Sequence, residues 1–356
     1  MMPQLLSGLT TTGVGGPAAE VIEAGTEAEI LSAVRAADDA GTRLLIVGGG
    51  SNLVISDDGY DGTVLRITTR GVEITPTADG THSRVSVAAG HPWDDVVRTT
   101  LEAGLSGLEA LSGIPGSAGA TPVQNVGAYG ADVSKTLESV RAWDRQESRL
   151  ADFTATDLDF GYRDSLLKRT TVQGSPRYVV LDVVFVLESS PLGAPIAYAE
   201  LARTLGVTAG ERATASAVRS TVLRLRAGKG MVLDPEDRDT YSTGSFFTNP
   251  VVDAASAASL PEDAPRFPAA GGTKLSAAWL IDRSGFPKGY GLAGTEGAGL
   301  ADGRAALSTK HTLAITNRGG ATAADILAIA RTVRDGVRER FGITLHNEPL
   351  LIGIEL

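Results

Sequence analysis

The sequence predicts a fold of the α+β class, built from two or three packed units. Its 356 residues correspond to that number of units at roughly 100–200 residues per domain. Helical periodicity is clear at 27–40, which Thr26 can cap, and at 322–341, where Thr322 and Asp325 resemble a capping box. The segment 178–187 is apolar on both faces, which is typical of a strand at the centre of a sheet.

Shorter patterns complete this outline. They predict strands at 43–47, 52–55, 64–67, 84–88, 140–143 and 149–153, and helices at 93–102 and 218–226. The glycines at 48–50 lead directly into extended chain, whereas a Rossmann fold needs a helix after its glycine turn. This loop therefore favours a phosphate-binding turn of another architecture.

Composition argues against several classes of function. A net charge of −10 and a pI of about 5.0 are opposite to those of a sequence-independent nucleic-acid binder. No apolar run reaches the ~18 residues of a membrane span, and no secretory leader pattern is visible. Without cysteine the chain has no disulfide or thiolate, and its four histidines lack metal-ligand spacing. We therefore expect a cytosolic protein with no metal, membrane or nucleic-acid partner.

Two glycine-rich segments are candidates for binding phosphate. The first is 48–52, and the second is the uncharged stretch 113–130. Backbone amides at glycines can approach a pyrophosphate closely, and two such surfaces suit a dinucleotide better than a single phosphate. The amides of Gln124 and Asn125 could bind the edge of a heteroaromatic ring. The alternative is that both segments are tight turns.

Three polar positions are candidates for catalysis. Arg163 follows Tyr162 and can hold a carboxylate, although an ion pair with Asp164 would explain it equally well. Ser245 lies outside a G-x-S-x-G motif, and no histidine follows it at an apparent triad position, so we do not expect acyl transfer. It is either a hydrogen-bond or proton donor or a satisfied turn hydroxyl. Glu348 lies between apolar stretches near the end of the chain.

Taken together, these segments resemble the UDP-N-acetylenolpyruvoylglucosamine reductases, the MurB family, in the longer subtype with a substrate-closing Tyr loop. Matching elements occur in the family's order and span nearly the whole chain. They are TTGVGG at 11–16, GGGSN at 48–52, GIPG at 113–116, PVQNVGAYG at 122–130, YRDS at 162–165, LDP at 233–235, GSFF at 244–247 with NP at 249–250, KL at 274–275, WLID at 279–282 and EP at 348–349.

The resemblance implies a vanillyl-alcohol-oxidase (PCMH-type) FAD-binding fold of two subdomains, followed by a C-terminal α+β substrate-binding domain. The first FAD-binding subdomain would occupy 1–70, and the tail at about 342–356 would return to the FAD-binding part. The second FAD-binding subdomain would occupy 71–216, and the substrate-binding domain would occupy 217–341.

The resemblance also implies the reaction. NADPH would reduce a noncovalently bound FAD, which would reduce UDP-N-acetylglucosamine enolpyruvate to UDP-N-acetylmuramate for peptidoglycan synthesis. Arg163 and Glu348 match the family residues that stabilise the enediolate, and a Glu348 that donates a hydrogen bond must be protonated. Ser245 matches the family's proton donor. The setting would be cytoplasmic and the enzyme a monomer.

Further residues are assigned by their positions in the matching motifs. The substrate-binding set is Tyr162, Arg163, Tyr198, Lys229, Asn249 and Lys274. The FAD-binding set is Gly48, Gly49, Gly50, Ser51, Asn52, Ile114, Pro115, Gly116, Ser117, Gly119, Ala120, Thr121, Gln124, Asn125, Gly127, Ala128, Tyr129 and Gly130.

Three other interpretations stay open at this point. An oxidase of the same flavoprotein superfamily would consume oxygen rapidly and would not need Ser245 and Glu348. A NAD-dependent Rossmann dehydrogenase is disfavoured by the missing helix after Gly50. A non-catalytic flavin-binding relative would have no use for Arg163, Ser245 and Glu348 as a set.

Overall fold

The computed structural model describes residues 4–356, which divide into two compact units. Unit 1 consists of residue 4 with 18–50 and 61–228, and unit 2 consists of 5–17, 51–60 and 229–356. The division predicted from the sequence has three parts, with boundaries near 70 and 217, and it stays a prediction. Both helices and strands are present in both units, as an α+β fold requires.

The helices of the described residues are α1 (Glu27–Asp39), α2 (Trp93–Glu102), α3 (Leu166–Arg169), α4 (Ala199–Leu205), α5 (Ala215–Gly228), α6 (Ala254–Ala258), α7 (Ala277–Arg283) and α8 (Ala323–Phe341). Six 3-10 turns lie at Leu6–Leu9, Glu109–Leu111, Ala118–Ala120, Val133–Lys135, Arg238–Thr240 and Ala298–Leu300. No helix within residues 4–356 combines the length and the apolar character that crossing a bilayer requires.

The strands are β1 (Ala18–Ala24), β2 (Leu44–Val47), β3 (Leu53–Ile55), β4 (Tyr60–Ile67), β5 (Val72–Pro76), β6 (His82–Ala88), β7 (Leu105–Ser106), β8 (Gly127–Ala128), β9 (Ala131–Asp132), β10 (Leu137–Asp144), β11 (Arg149–Thr154), β12 (Thr171–Val172), β13 (Ser175–Pro176), β14 (Tyr178–Ser189), β15 (Val251–Val252), β16 (Arg266–Ala269), β17 (Gly272–Leu275), β18 (Ala305–Leu307), β19 (Ile315–Asn317) and β20 (Leu350–Ile352).

The long apolar strand predicted at 178–187 lies at the centre of unit 1. It is β14, which pairs antiparallel with β10 on one side and with β6 on the other, in the order β11-β10-β14-β6-β5. The predicted strand pair at 140–143 and 149–153 is β10 with β11. Trp93 of α2 packs on Phe185 of β14 with ring centroids 5.6 Å apart, so the predicted helix at 93–102 covers this sheet.

The start of unit 1 forms a second, smaller sheet in the order β1-β4-β2. Helix α1 begins where predicted, because Thr26 and Glu29 form a capping box. After β2 the chain turns through the glycines at 48–50 and continues into β3 without a helix. The Rossmann interpretation is therefore wrong.

Unit 2 is built around α8, whose apolar stripe packs on α7 and on the hairpin of β18 and β19. The predicted capping box is present: Thr322 Oγ1 accepts from the Asp325 amide, and Asp325 accepts from the Thr322 amide. Asp57 accepts from the next two amides of the helix, Ala323 and Ala324. Strand β20 near the end of the chain pairs in parallel with β3, so the segments 51–60 and 229–356 of unit 2 share one sheet.

Candidate active site

The two glycine-rich segments lie against each other in unit 1. A Cβ at Gly48 would lie 2.2 Å from Ser117 Oγ, and one at Gly49 would lie 2.6 Å from the Gly116 Cα. At Gly49 the collision is with backbone and excludes any side chain, whereas at Gly48 the Ser117 hydroxyl would have to rotate away. Glycine at position 49 is thus required for the close approach of two backbone segments.

The amides of the first loop are available to a ligand. The backbone N–H groups of Gly48, Gly49 and Gly50 donate no hydrogen bond to another residue of the described chain, although Gly50 is buried. Ser117, which faces Gly48, is only 7% exposed. Consecutive backbone amides without an internal acceptor can bind an anion such as a phosphate.

The second loop is anchored at its start and middle. Asp94 accepts from the Gly113 amide at 2.6 Å and from both terminal nitrogens of Arg219. Burial opposes ionisation of Asp94, but these hydrogen bonds outweigh it and keep the pKa of this carboxyl below its usual value. Further along, the Gly119 amide donates to the Ala89 carbonyl at 2.8 Å. These contacts anchor the loop to α2, to α5 and to the segment after β6.

The YRDS segment packs on the second loop. Arg163 donates to the Gly127 carbonyl at 2.7 Å, Ser165 donates to the Val123 carbonyl at 2.6 Å, and Asn125 donates to the Gly161 carbonyl at 3.1 Å. The alternative interpretation, a surface ion pair between Arg163 and Asp164, is wrong, because Asp164 pairs with Arg169 instead. The structure thus brings Tyr162 and Arg163 to the loop that carries Asn125 and Gly127.

Three of the predicted site residues have left-handed backbones. Asn125, Tyr129 and Arg163 have φ of 47°, 51° and 56°. Residues other than glycine rarely adopt this region, and such residues are concentrated at functional sites. The left-handed residues therefore lie in two of the segments identified by the motifs, 122–130 and 162–165.

Tyr129 contacts two residues that bear on ligand binding. Its ring meets that of Tyr198 edge to face at 5.5 Å, and Tyr198 is 43% exposed just before α4. Arg226 of α5 is buried, and burial lowers its pKa to about 10, while Tyr129 and Asp94 oppose this shift. The prediction from sequence did not include Arg226, because a single arginine in an amphipathic helix carries no distinguishing pattern.

In unit 2, Ser245 and Glu348 lie on adjacent segments. The Glu348 amide donates to the Phe246 carbonyl at 2.8 Å, and Phe247 forms a bridge with Asn347. Asn52 follows the glycine loop and joins the same group, since its carbonyl accepts from the Leu350 amide at 2.9 Å. Three predicted site residues from distant parts of the chain therefore meet in one place.

A histidine that the sequence analysis did not connect with Ser245 lies beside it. His311 Nε2 is 3.4 Å from Ser245 Oγ, although the two residues are 66 positions apart. No local motif predicts this contact, because it arises from the hairpin of β18 and β19. The expectation that Ser245 does not carry out acyl transfer stays a prediction.

The other predicted substrate-binding residues of unit 2 are spread over three elements. Lys229 directly follows α5, Lys274 lies in β17, and Asn249 precedes β15. Asn249 Oδ1 accepts from the Ala277 amide at 2.9 Å and so fixes the start of α7. No cluster of three metal-ligating side chains occurs in the part of the chain that the structure describes.

Comparison with known proteins agrees with these motifs. The model of the FAD-binding domain family matches residues 17–151, and that of the UDP-N-acetylenolpyruvoylglucosamine reductase C-terminal domain matches 234–352. Curated reductases of that name are 54% identical in Streptomyces avermitilis and 50% identical in Mycobacterium avium. These alignments cover 99% of this chain in both cases, and 94% and 95% of the relatives. The chain belongs to the UDP-N-acetylenolpyruvoylglucosamine reductase family.

A solved structure of this reductase family supports the assignment. The crystal structure of the reductase from Thermus caldophilus matches with a TM-score of 0.66 and 25% identity, over 98% of this chain and 97% of the other. The predicted family, the α+β FAD-binding fold and the identification as an FAD-dependent oxidoreductase are thereby confirmed. The longer-subtype assignment stays a prediction.

Proposed function

We propose that this chain catalyses the NADPH-dependent, FAD-mediated reduction of UDP-N-acetylglucosamine enolpyruvate to UDP-N-acetylmuramate. The observation that carries the proposal is the full-length similarity to curated reductases at about 50% identity, such as 53% in Nocardia farcinica over 99% of this chain. The presence of Arg163, Ser245 and Glu348 at the motif positions adds to it. The enzyme is proposed to act in the cytoplasm as a monomer.

The residues of unit 1 fit an FAD diphosphate. The amides of Gly48, Gly49 and Gly50 donate no hydrogen bond to a residue of the described chain, and Ser117 lies beside Gly48. These groups and the rest of the FAD-binding set are proposed to hold the cofactor noncovalently. When bound, FAD would supply the hydride that it receives from NADPH.

The chain's own residues would stabilise the negative charge that develops on the substrate and would supply the proton. Negative charge develops on the substrate's enolpyruvyl carboxylate as hydride adds, and Arg163 would stabilise it electrostatically. Arg163 is preorganised for this role by its hydrogen bond to the Gly127 carbonyl. Glu348 would stabilise the same enediolate, and Ser245 would deliver the proton to carbon.

Substrate binding would draw on the remaining predicted residues. Lys229 and Lys274 carry positive charge suited to a nucleotide diphosphate, and Tyr198 is exposed enough to move onto a bound ligand. Asn249 would use its amide nitrogen, because its oxygen already accepts from Ala277. Tyr162 is also largely exposed beside Arg163.

Ser245→Ala tests the proposed proton donor. The two half-reactions would be followed anaerobically through the flavin absorbance. We expect NADPH to bleach the flavin at the wild-type rate, and the enolpyruvyl substrate to recolour it about 10²–10⁴-fold more slowly, the range typical of a lost general acid. Ser259→Ala, which removes an exposed hydroxyl in unit 2, is the control. Recolouring at the wild-type rate would refute the role of Ser245.

A further inference from the structure

His311 faces the hydroxyl that the proposed function assigns to proton donation. Its Nε2 lies 3.4 Å from Ser245 Oγ. This distance is long for a hydrogen bond, but contacts of this kind commonly tighten when substrate binds. An imidazolium is a far stronger acid than an aliphatic hydroxyl, so it can donate to a serine oxygen that is losing its own proton.

The backbone holds His311 at this position. The Phe246 amide, next to Ser245, donates to the Leu313 carbonyl at 2.7 Å, and the Ala314 amide donates to the His311 carbonyl at 3.1 Å. Ser308 Oγ accepts from the amide of His311 at 3.1 Å. The turn that carries the imidazole is therefore tied both to itself and to the segment of Ser245.

Charged side chains fix the same turn from a neighbouring element. Asp239 accepts from the amide and hydroxyl of Thr309 and from Arg318, and it is only 3% exposed. Lys310 pairs with Asp237 at 2.5 Å. Asp234 also acts electrostatically on Lys310. The arrangement limits how far His311 can move away from Ser245.

We propose that His311 supplies a proton to Ser245 as Ser245 protonates the substrate carbon. In one step the Nε2–H bond of the imidazolium breaks and a new Oγ–H bond forms, while the original Oγ–H bond breaks and a C–H bond forms. Ser245 ends unchanged and His311 ends neutral, and it regains its proton from water. This proposal rests on the proposed function, because it requires Ser245 to be the donor to carbon.

Three substitutions test the relay by stopped-flow spectroscopy of each half-reaction. His311→Gln keeps an N–H group that can donate a hydrogen bond, but its side chain is not an acid that can transfer a proton. His311→Ala removes the hydrogen-bond donor as well as the acid. We expect both variants to be reduced by NADPH at the wild-type rate and to be reoxidised by the enolpyruvyl substrate 10–100-fold more slowly. His346→Gln, which changes an exposed histidine of unit 2, should leave both rates unchanged.

Each other outcome has a definite meaning. Wild-type reoxidation in both His311 variants would overturn the relay. Recovery in His311→Gln but not in His311→Ala would also overturn it, since a hydrogen bond alone would then suffice. Equal slowing of both half-reactions would indicate a packing defect and refute the proposal. If Ser245→Ala reoxidises normally, the proposed function fails at its proton donor, which is a separate result.

NMR provides a readout that needs no turnover. The chain has four histidines, so the imidazole signals are few, and His311→Gln identifies one of them by its loss. We expect Ser245→Ala to shift the His311 signal and leave those of His82, His91 and His346 in place. An unmoved His311 signal would contradict the contact itself.

Discussion

Three glycines of unit 1 lie where a side chain would collide with another part of the protein. Gly48 and Gly49 meet the second loop, and Gly119 meets Ala89, whose Cβ would be 2.5 Å from an added Cβ. The backbone of Gly119 has no left-handed strain, so its requirement for glycine is one of space alone. This separates the effect of packing from that of conformation.

Gly119→Ala should destabilise the protein. The Ala89 backbone is also close, at 2.9 Å from the added Cβ to Cα, so the collision cannot be relieved by rotating a side chain. Overpacking of this kind costs about 1–3 kcal/mol in the free energy of unfolding, measured by urea denaturation. We also expect weaker FAD retention on gel filtration, because the loop would shift.

Gly299→Ala is the matched control for that change. Gly299 is also the middle residue of a three-residue 3-10 turn, Ala298–Leu300, but nothing lies within 4 Å of an added Cβ. Its free energy of unfolding should change by less than about 0.5 kcal/mol. Equal losses in the two variants would show that the loss of glycine flexibility, and not the collision, is responsible.

At the scale of elements, α8 shows how local sequence and distant contacts act on one helix end. Its capping box comes from Thr322 and Asp325, which are close in sequence, while Asp57 accepts from the Ala323 and Ala324 amides from far along the chain. The carboxylates also oppose the positive end of the helix dipole.

Thr322→Ala should remove the local part of this capping. We expect a loss of about 1 kcal/mol in the free energy of unfolding, as is typical of a lost N-cap hydroxyl. Thr332→Ala, the same substitution within α8, should stay within about 0.5 kcal/mol, since alanine is the better helix former. A larger loss for Thr332→Ala than for Thr322→Ala would contradict this account of the helix end.

The end of β10 depends on a buried carboxylate. Asp144 is only 2% exposed, and it accepts two hydrogen bonds from Arg177, which precedes β14. The Arg177 hydrogen bond is the main reason that the pKa of Asp144 lies below its ordinary value, and burial opposes it. This stabilisation is present above the ordinary carboxyl pKa near 4 and is lost as the pH falls through the lowered value.

Asp144→Asn should therefore cost about 2 kcal/mol at pH 7, the range for a hydrogen bond to a charged group. The difference from wild type, measured by urea denaturation between pH 7 and pH 3, should shrink toward the acidic end. Asp152→Asn, on the exposed side of β11, is the control and should change little at any pH. A loss that is constant over this range would show that the charge of Asp144 is not what stabilises the strand end.

At the scale of the whole molecule, the sequence predicted what depends on local patterns. Helices α1, α2 and α8 were predicted nearly to their ends, because helix caps and apolar periodicity depend on residues that are close together in the sequence. The central position of β14 followed from its two apolar faces. The glycine and YRDS motifs identified segments that do pack together in unit 1.

The rest depends on contacts between distant parts of the chain. The pairing of β3 with β20 assigns residues 51–60 to unit 2, and no local pattern specifies it. The same holds for His311 beside Ser245 and for Arg163 donating to the Gly127 carbonyl instead of to its neighbour Asp164. The function could be predicted without these contacts, because the motifs occur along the chain in the same order as in the reductase family.

The most direct test of the account is an anaerobic spectral titration of the purified protein. We predict the absorbance of a bound flavin, its bleaching by NADPH and its recolouring by UDP-N-acetylglucosamine enolpyruvate in the absence of oxygen. Recolouring only when oxygen is admitted would contradict the reductase and favour an oxidase. Absence of flavin even after reconstitution with FAD would contradict the assignment of the glycine loops.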